Sequence, residues 1–181
     1  MSTSLPKPGT YAIDTSHTHA GFAVKHFGLS KVKGEFTELE GTIVIAEEPT
    51  ASSVNVTIQT ASFNSRDEGR DGHVKSPDFL DVEQFPTITF ASTNVIADGS
   101  DWVVNGDLTI KGVTHAVQLE TEFEGAITDP YDFERIAFSA ETEIDRTDFG
   151  LDFSAALASG GLIVAKNVKI SIEVEAIIPK D

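Results

Sequence analysis

The chain has 181 residues, 13 of them basic and 29 acidic, so its formal net charge is −16. This acidic balance argues against a nucleic-acid partner and against steady docking on anionic lipid through a polybasic patch. With 40% hydrophobic residues and no cysteine, the composition fits one globular domain and excludes disulfides, thiol catalysis and thiolate metal ligands.

The β-branched residues predict a fold dominated by strands, with 15 Val, 15 Ile and 18 Thr against 9 Leu. Apolar and polar residues alternate in eight candidate strands, which in chain order are centred on residues 11–15, 36–45, 54–59, 87–90, 102–110, 117–127, 136–144 and 168–178. One apolar and one polar face per strand is typical of antiparallel sheets. The clearest run ends the chain, where Val168 to Ile178 alternates with Lys and Glu.

Three places depart from simple alternation. The change of parity between Phe36 and Ile43 predicts a bulge or bend near Glu40-Gly41. Residues 20–27 have apolar side chains at both helical and strand spacing, and we interpret them as a short helix. Residues 62–86 are polar and predict a loop with short helices across one end of the fold, with Ser76-Pro77-Asp78 as a helix start signal.

Eight long strands, each with one apolar face, bury those faces most simply by closing into a barrel, which also removes exposed sheet edges. The predicted fold class is therefore all-β: an eight-stranded antiparallel barrel with one or two short helices, with a sandwich as the alternative. We expect residues 1–9 to form a flexible tail and residues 10–181 a single barrel domain. The chain has no run of about 18 apolar residues and no signal-peptide core near Met1, so a cytoplasmic location without stable membrane insertion is predicted.

Histidines give the strongest hint of chemistry. His17 and His19 would point the same way on a strand and could share a zinc ion. A third ligand would have to come from His26, His73, His115 or a carboxylate, and no known spacing selects one of them. A metal-dependent enzyme using His17, His19 and His73 therefore stays an alternative, while hydrogen-bonded structural histidines are favoured and no metal or cofactor is predicted.

The segment from Arg66 to His73 is densely charged. Its carboxylates, histidine and arginines could support acid–base work or hold a phosphate. A solvated loop held by Arg–Asp pairs is the favoured interpretation, and a contact of Arg70 and His73 with a ligand head group stays open.

Twelve Phe against one Trp and two Tyr form the other unusual feature. Many of them fall on predicted apolar faces, and an eight-stranded barrel is near the size at which the interior either fills or holds one small ligand. An apolar lining with few polar groups suits an apolar guest rather than a reaction. The candidate ligand-binding residues are Phe22, Phe36, Ile58, Phe90, Leu108, Leu119, Phe123, Phe138, Ile170 and Ile172.

Ordered motifs along the chain resemble one known family. They are Asp14-Thr-Ser-His17, Phe22-Ala-Val-Lys-His26-Phe-Gly28, Ser30-Lys-Val-Lys-Gly34-Glu-Phe36, Arg70-Asp-Gly-His73, Phe85-Pro-Thr-Ile-Thr-Phe90, Gly106-Asp-Leu-Thr-Ile-Lys-Gly112 and Arg146-Thr-Asp148-Phe-Gly150. This set is similar to the YceI-like polyisoprenoid-binding family from about Thr10 to Ile178. The chain departs from it at Leu151-Asp-Phe153-Ser, where the family commonly has Trp-Asn, and at Ala165-Lys-Asn-Val168.

The resemblance implies a lipocalin-like barrel around a long apolar tunnel, often in a homodimer, that binds a polyprenyl chain or another long lipid without performing chemistry. The leading hypothesis is therefore a carrier of an isoprenoid, a prenyl quinone or a fatty amide or acid. The metal-dependent enzyme is its chief rival. A stress-associated interaction protein with a merely structural lipid is the third hypothesis.

Overall fold

The computed structural model describes residues 5–180, and strands make up most of its regular structure. The strands are β1 (Gly9–Ile13), β2 (His19–His26), β3 (Ser30–Phe36), β4 (Leu39–Ile45), β5 (Ser53–Gln59), β6 (Phe63–Asn64), β7 (Thr87–Asp98), β8 (Asp101–Ile110), β9 (Val113–Thr128), β10 (Glu134–Asp145) and β11 (Val164–Ile177). One α-helix, α1 (Glu68–Lys75), lies between β6 and β7, and short 3₁₀ helices span Thr15–His17, Pro49–Ala51, Thr60–Ser62 and Arg146–Phe149.

These segments form one closed antiparallel barrel. Strand β1 pairs with β4 on one side and with β11 on the other, where Ala12 lies opposite Ile177. β1 and β2 are two halves of one long bent strand, as are β3 and β4, and β5 and β6, because each half pairs with the matching half of its neighbour. The predicted eight-stranded antiparallel barrel is therefore confirmed, and the sandwich alternative is wrong.

Residues 20–27 are a strand and not the predicted helix. Ala20 lies opposite Phe36 of β3 and Ile172 of β11, so β2 is paired on both sides. The apolar spacing of this short segment fits a helix and a strand equally well. The segment forms a strand because its two neighbours supply hydrogen-bond partners for the backbone groups of β2.

The bulge or bend predicted near Glu40-Gly41 proves to be a bend, and it lies a few residues earlier in the chain. Strand β4 keeps an unbroken register with β5 from Leu39 to Val44, and the parity changes at residues 37–38, between β3 and β4. Gly41 has another role, since a Cβ there would lie 2.4 Å from the main-chain oxygen of Asn55.

A real bulge lies in β9. Phe123 pairs with Phe138 and Gly125 with Ala137, so Glu124 is the extra residue. Beyond the bulge, the residues of β9 that would have faced outward face inward, and those that would have faced inward face outward. Ala126 therefore packs against the core, and Ile127 is 59% exposed although it has the same parity as the buried Phe123.

The polar segment after β6 contains the expected short helix, but the predicted start signal is wrong. Helix α1 begins after Asp67, whose carboxylate accepts a hydrogen bond from the backbone N–H of Arg70 at 2.7 Å. Ser76 follows the last helical residue instead of preceding the first. The loop is held by Ser65, whose hydroxyl donates to Asp71 at 2.5 Å and accepts from Nε of Arg70 at 2.8 Å.

Two clusters of buried side chains lie toward opposite ends of the barrel. The first, the closed-end cluster, contains Tyr11, Ile43, Ile45, Val95, Trp102, Val104, Phe123, Ile136, Phe138 and Ala176. The second, the helix-end cluster, contains Phe63, Phe79, Leu80, Ile88, Leu108, Ile110, Phe149 and Leu151. Phe90 packs against both, so the two clusters meet in the middle of the barrel.

The chain ahead of β1 is held by contacts where it is described. Pro6 is buried, and the ammonium of Lys7 lies 2.8 Å from a carboxylate oxygen of Glu134. Residues 1–4 of the predicted flexible tail lie outside the described residues. Within residues 5–180, no helix is long and apolar enough to cross a membrane.

Candidate functional site

The barrel encloses a cavity of about 760 Å³. Its wall is built from the inward residues of the strands, for example Ile170, Ile172 and Val174 of β11, which are separated by outward polar residues. Aliphatic and aromatic side chains dominate this wall. Such a wall offers dispersion contacts and very few hydrogen-bond partners, so it accommodates an apolar chain.

The structure places nearly all sequence-predicted ligand residues on this cavity. Those that line it are Phe22, Phe36, Ile58, Phe90, Leu108, Leu119, Phe138, Ile170 and Ile172. Phe123 does not line the cavity, because it lies just before the β9 bulge and packs into the closed-end cluster. Its side chain is 2% exposed and its ring centroid is 5.1 Å from that of Phe138.

Two inward glycines leave space in the wall, and sequence reasoning missed them. A Cβ on Gly34 would lie 2.6 Å from the Phe22 ring, and one on Gly106 would lie 2.4 Å from the Phe90 ring. The far edge of each Phe ring therefore occupies the space that a side chain on the neighbouring glycine would need. The sequence did contain a sign of this arrangement, since Gly34 and Gly106 both alternate in phase with the inward apolar residues of their strands.

The exposed residues of the cavity lining lie in α1 and in the segment after β10: they are Gly69, Arg70, His73 and Phe153. The cavity therefore opens beside α1, and we call this opening the mouth. The His73 ring packs edge-on against Phe153, with a centroid distance of 4.8 Å, and against Phe79 at 5.1 Å. Nε2 of His73 lies 2.8 Å from a carboxylate oxygen of Asp78. The departure from the family pattern at Phe153 thus falls at the mouth, where it borders the path of a ligand.

Arg146 is a buried cation on the cavity wall. Its side chain donates to three main-chain carbonyls: those of Ala165 at 3.0 Å, Val164 at 3.2 Å and Leu151. No carboxylate of residues 5–180 forms an ion pair with it, and burial lowers the pKa of its guanidinium. Three acceptors for five N–H groups leave donors unused at the helix end of the cavity.

The three histidines of the metal hypothesis are not brought together. Within residues 5–180, the one group of three possible ligands containing any of them is Asp14, His17 and Glu175. The guanidinium of Arg135 already lies between those carboxylates, with Nη1 at 2.7 Å from Asp14 and 2.8 Å from Glu175. A resident arginine supplies the positive charge there and disfavours a metal ion.

The predicted common face of His17 and His19 is wrong because a 3₁₀ helix contains His17 and interrupts the strand. His19 instead contacts the Glu35 carboxylate at 2.8 Å. The neighbouring Ser16 hydroxyl and Asp14 carboxylate both approach the same nitrogen of His17, Nδ1, at 3.0 and 2.9 Å. A serine–histidine–aspartate relay needs one partner on each ring nitrogen, so this group is a local hydrogen-bond network and not a nucleophile with its base.

Comparison with known proteins agrees with this geometry. Residues 11–176 match the model of the YceI-like domain. Protein YceI of Escherichia coli O17:K52:H18 is 38% identical over 173 residues, which cover 94% of this chain and 87% of that protein. Protein YceI of Salmonella arizonae is 37% identical over the same lengths.

Solved structures share the fold. BcnA of Burkholderia cenocepacia superposes with a TM-score of 0.77 at 22% identity, covering 90% of this chain and 98% of that one. The YceI protein of Campylobacter jejuni gives 0.74 at 29% identity, with 86% and 90% covered. A polyisoprenoid-binding domain from Saccharophagus degradans gives 0.72 at 17% identity, with 96% and 100% covered, which shows the fold alone. Since the family match runs from the first barrel strand to the last, and the Escherichia coli relative is alike over nearly the whole chain, this protein belongs to the YceI-like family.

Proposed function

We propose that the barrel binds a long apolar isoprenoid, such as a polyprenyl chain or prenyl quinone, or a fatty amide or acid, and carries it without chemical change. The observation that supports this most directly is the cavity of about 760 Å³ with an almost entirely apolar wall. Its volume is within the range of small-molecule sites, and burying an apolar chain there contributes roughly 25 cal/mol per Å² of surface removed from water. Membership of the YceI-like family supports the same class of ligand.

In this proposal the polar end of the ligand lies at the mouth. Arg70 and His73 border the mouth, and Arg146 carries unused donors on the wall nearby. A quinone carbonyl, an amide or a carboxylate could accept hydrogen bonds there, whereas the closed-end cluster offers a tail only apolar contacts. The residues proposed to hold the tail are the predicted wall residues; Phe123 would support them from behind through Phe138.

The absence of catalysis is part of this proposal. Covalent catalysis needs a nucleophile within hydrogen-bond reach of its base. His73, the histidine that borders the mouth, contacts the carboxylate of Asp78, and no hydroxyl group of residues 5–180 forms a hydrogen bond with its ring. The polar side chains near the mouth can therefore hold a head group without starting a reaction.

The test is mass spectrometry of an organic extract of the purified protein, together with its unfolding midpoint before and after extraction. A ligand that binds only the folded state stabilises it, so extraction should lower the midpoint. Phe138→Glu should expel the lipid because an unpaired carboxylate in an apolar wall is costly. Ile127→Glu, on the outer surface, is the matched control and should keep it. Recovery of no lipid, with an unchanged midpoint, would contradict the proposal.

The predicted homodimer and the cytoplasmic location stay predictions. Sedimentation velocity of the loaded protein tests the first, and fractionation of cells that express the full-length gene product tests the second.

A further inference from the structure

Two stretches of this acidic chain contain no acidic residue. Residues 15–34 and 153–172 have neither Asp nor Glu, although 29 of the 181 residues are acidic and forty residues at that frequency would hold about six. The stretches carry five lysines: Lys25, Lys31, Lys33, Lys166 and Lys169.

The fold joins these stretches into one surface, which we call the acid-free face. Strand β2 pairs with β11, with Phe22 opposite Ile170 and His26 opposite Val164. At the β2–β3 turn, the backbone N–H of Phe27 donates to the carbonyl of Ile163 at 2.8 Å. The hairpin of β2 and β3 and the segment that leads into β11 therefore lie side by side.

Most of the lysines on this face form no ion pair within residues 5–180. Lys25 lies directly opposite Lys31 in the hairpin. Neither of them, nor Lys33, forms an ion pair with any carboxylate of residues 5–180, whereas Lys169 contacts Glu141 at 2.9 Å. Like charges in opposite positions destabilise a strand pair, so this hairpin retains a local cost that an external anion would relieve.

The tip of the same hairpin is apolar. Leu29 is 90% exposed and Phe27 45% exposed, at a tight turn where Phe27 and Gly28 both have positive φ. Exposed apolar side chains flanked by lysines are the combination that binds the interface of an anionic bilayer. The exposed apolar residues at the other end of the barrel, such as Ile127 and Tyr131, instead have Asp129 as a near neighbour in sequence.

The acid-free face also borders the mouth. Val24, His26 and Val32 of the hairpin line the cavity, as do Phe153 and Ile163 of the other stretch. A surface in contact with this face would therefore lie next to the opening through which a ligand must pass.

We propose that the acid-free face docks reversibly on an anionic bilayer, with Phe27 and Leu29 in the lipid interface and the lysines on the head groups, so that the ligand passes directly between membrane and cavity. The passage of ligand rests on the proposed function, whereas docking itself does not. Attraction by the face acts within about a Debye length, roughly 10 Å at 0.1 M salt, so it can prevail locally over repulsion by the net charge of −16.

The test is flotation of the full chain with vesicles of phosphatidylcholine alone or mixed equally with phosphatidylglycerol. We expect the protein to float with the anionic vesicles and to be released as salt is raised. Lys25→Gln/Lys31→Gln should weaken binding roughly tenfold or more. The control variant Lys7→Gln/Lys180→Gln removes the same number of positive charges at the opposite end of the barrel and should leave vesicle binding unchanged. Leu29→Ser should weaken binding, while its matched control Ile127→Ser should not.

Three results would overturn docking: binding that increases with salt, equal binding to both vesicles, or a sedimentation coefficient that Leu29→Ser changes, since a second copy would then cover the tip. Lipid analysis of the same samples separates the two proposals. A protein that contains extractable lipid yet ignores anionic vesicles refutes only docking. A protein that docks but yields no lipid supports docking and refutes the proposed function.

Discussion

Arg146 connects the turn after β10 to the start of β11 by donating to carbonyls on both. Arg146 is only 5% exposed, so removing its side chain would leave buried carbonyl oxygens without hydrogen-bond donors. We expect Arg146→Met to lower the free energy of unfolding by about 2–5 kcal/mol. Arg66→Met, an exposed control in the same charged segment as α1, should change it by less than about 0.5 kcal/mol. Denaturant titration measures both, and equal values would show that the carbonyl contacts contribute little.

Asp14 stabilises the junction between β1 and β2. Its carboxylate accepts hydrogen bonds from the Ser16 hydroxyl at 2.6 Å and from Nη1 of Arg135 at 2.7 Å. These two donors hold the pKa of the Asp14 carboxyl well below its usual range, and Ser16 has the larger effect of the two. His17 contributes a further hydrogen bond to the same group.

The low pKa of Asp14 makes its contribution depend on pH. A depressed pKa in the folded state adds stability that is complete above the unfolded value, about 3.9, and is lost as the pH falls below it. Asp14→Asn should therefore lower the free energy of unfolding by about 1–3 kcal/mol at pH 7, and by progressively less as the pH falls below about 4. Urea titrations across that range measure this, with exposed Asp101→Asn as the control. A pH-independent difference would contradict the argument.

At the scale of the elements, the β9 bulge depends on Gly125. Its φ of +146° is a conformation that side chains rarely adopt, although a Cβ there would meet nothing within 4 Å. Gly125→Ala should therefore cost about 1–3 kcal/mol through backbone strain alone. Gly72→Ala is the matched control, because Gly72 also has open space around it but lies inside α1. It should raise stability by up to about 1 kcal/mol. Thermal unfolding distinguishes the opposite signs.

The sequence predicts strands well where alternation persists and poorly where one residue changes its phase. Val168 to Ala176 alternate without interruption, and the whole of this run is in β11. Ile127 has the parity of Phe123, but the bulge between them is set by pairing with β10 and leaves no mark in the local pattern. Residues 20–27 fit two periods equally, and only the partners on both sides of β2 choose between them.

For the whole molecule, Phe123 and Phe138 provide a direct comparison of packed core with cavity wall. They are paired across β9 and β10, but only Phe138 lines the cavity. Phe123→Ala should cost about 3–5 kcal/mol whether or not lipid has been extracted. Phe138→Ala should cost less than Phe123→Ala in the extracted protein, because its wall already has empty space on one side. Equal costs in the extracted protein would indicate a solid core at both positions.

The same contrast shows how much of the site was predictable. Period-2 parity selects inward residues, so it found the wall from Phe36 to Ile172, whereas Phe22 was selected from a segment interpreted as a helix. It does not distinguish residues that line a space from residues packed beyond it, as Phe123 shows. Arg146 was missed because its burial follows from carbonyls of β11, 18 and 19 residues away in sequence.

The two sides of the barrel differ in continuity. From β8 to β11 the strands run 10 to 16 residues without a break, whereas the other side is divided at residues 14–18, 37–38 and 60–62, at matching heights. Three aligned interruptions form a crease, and the flap beyond it consists of β2, β3 and β6, with α1 attached. The flap stays attached to the long strands through the β2–β11 ladder, so bending at the crease would widen the opening on the β6 side, where β6 pairs with β3 and not with β7. The backbone amides of β2 and β3 should therefore exchange with deuterium faster than those of β8 to β10.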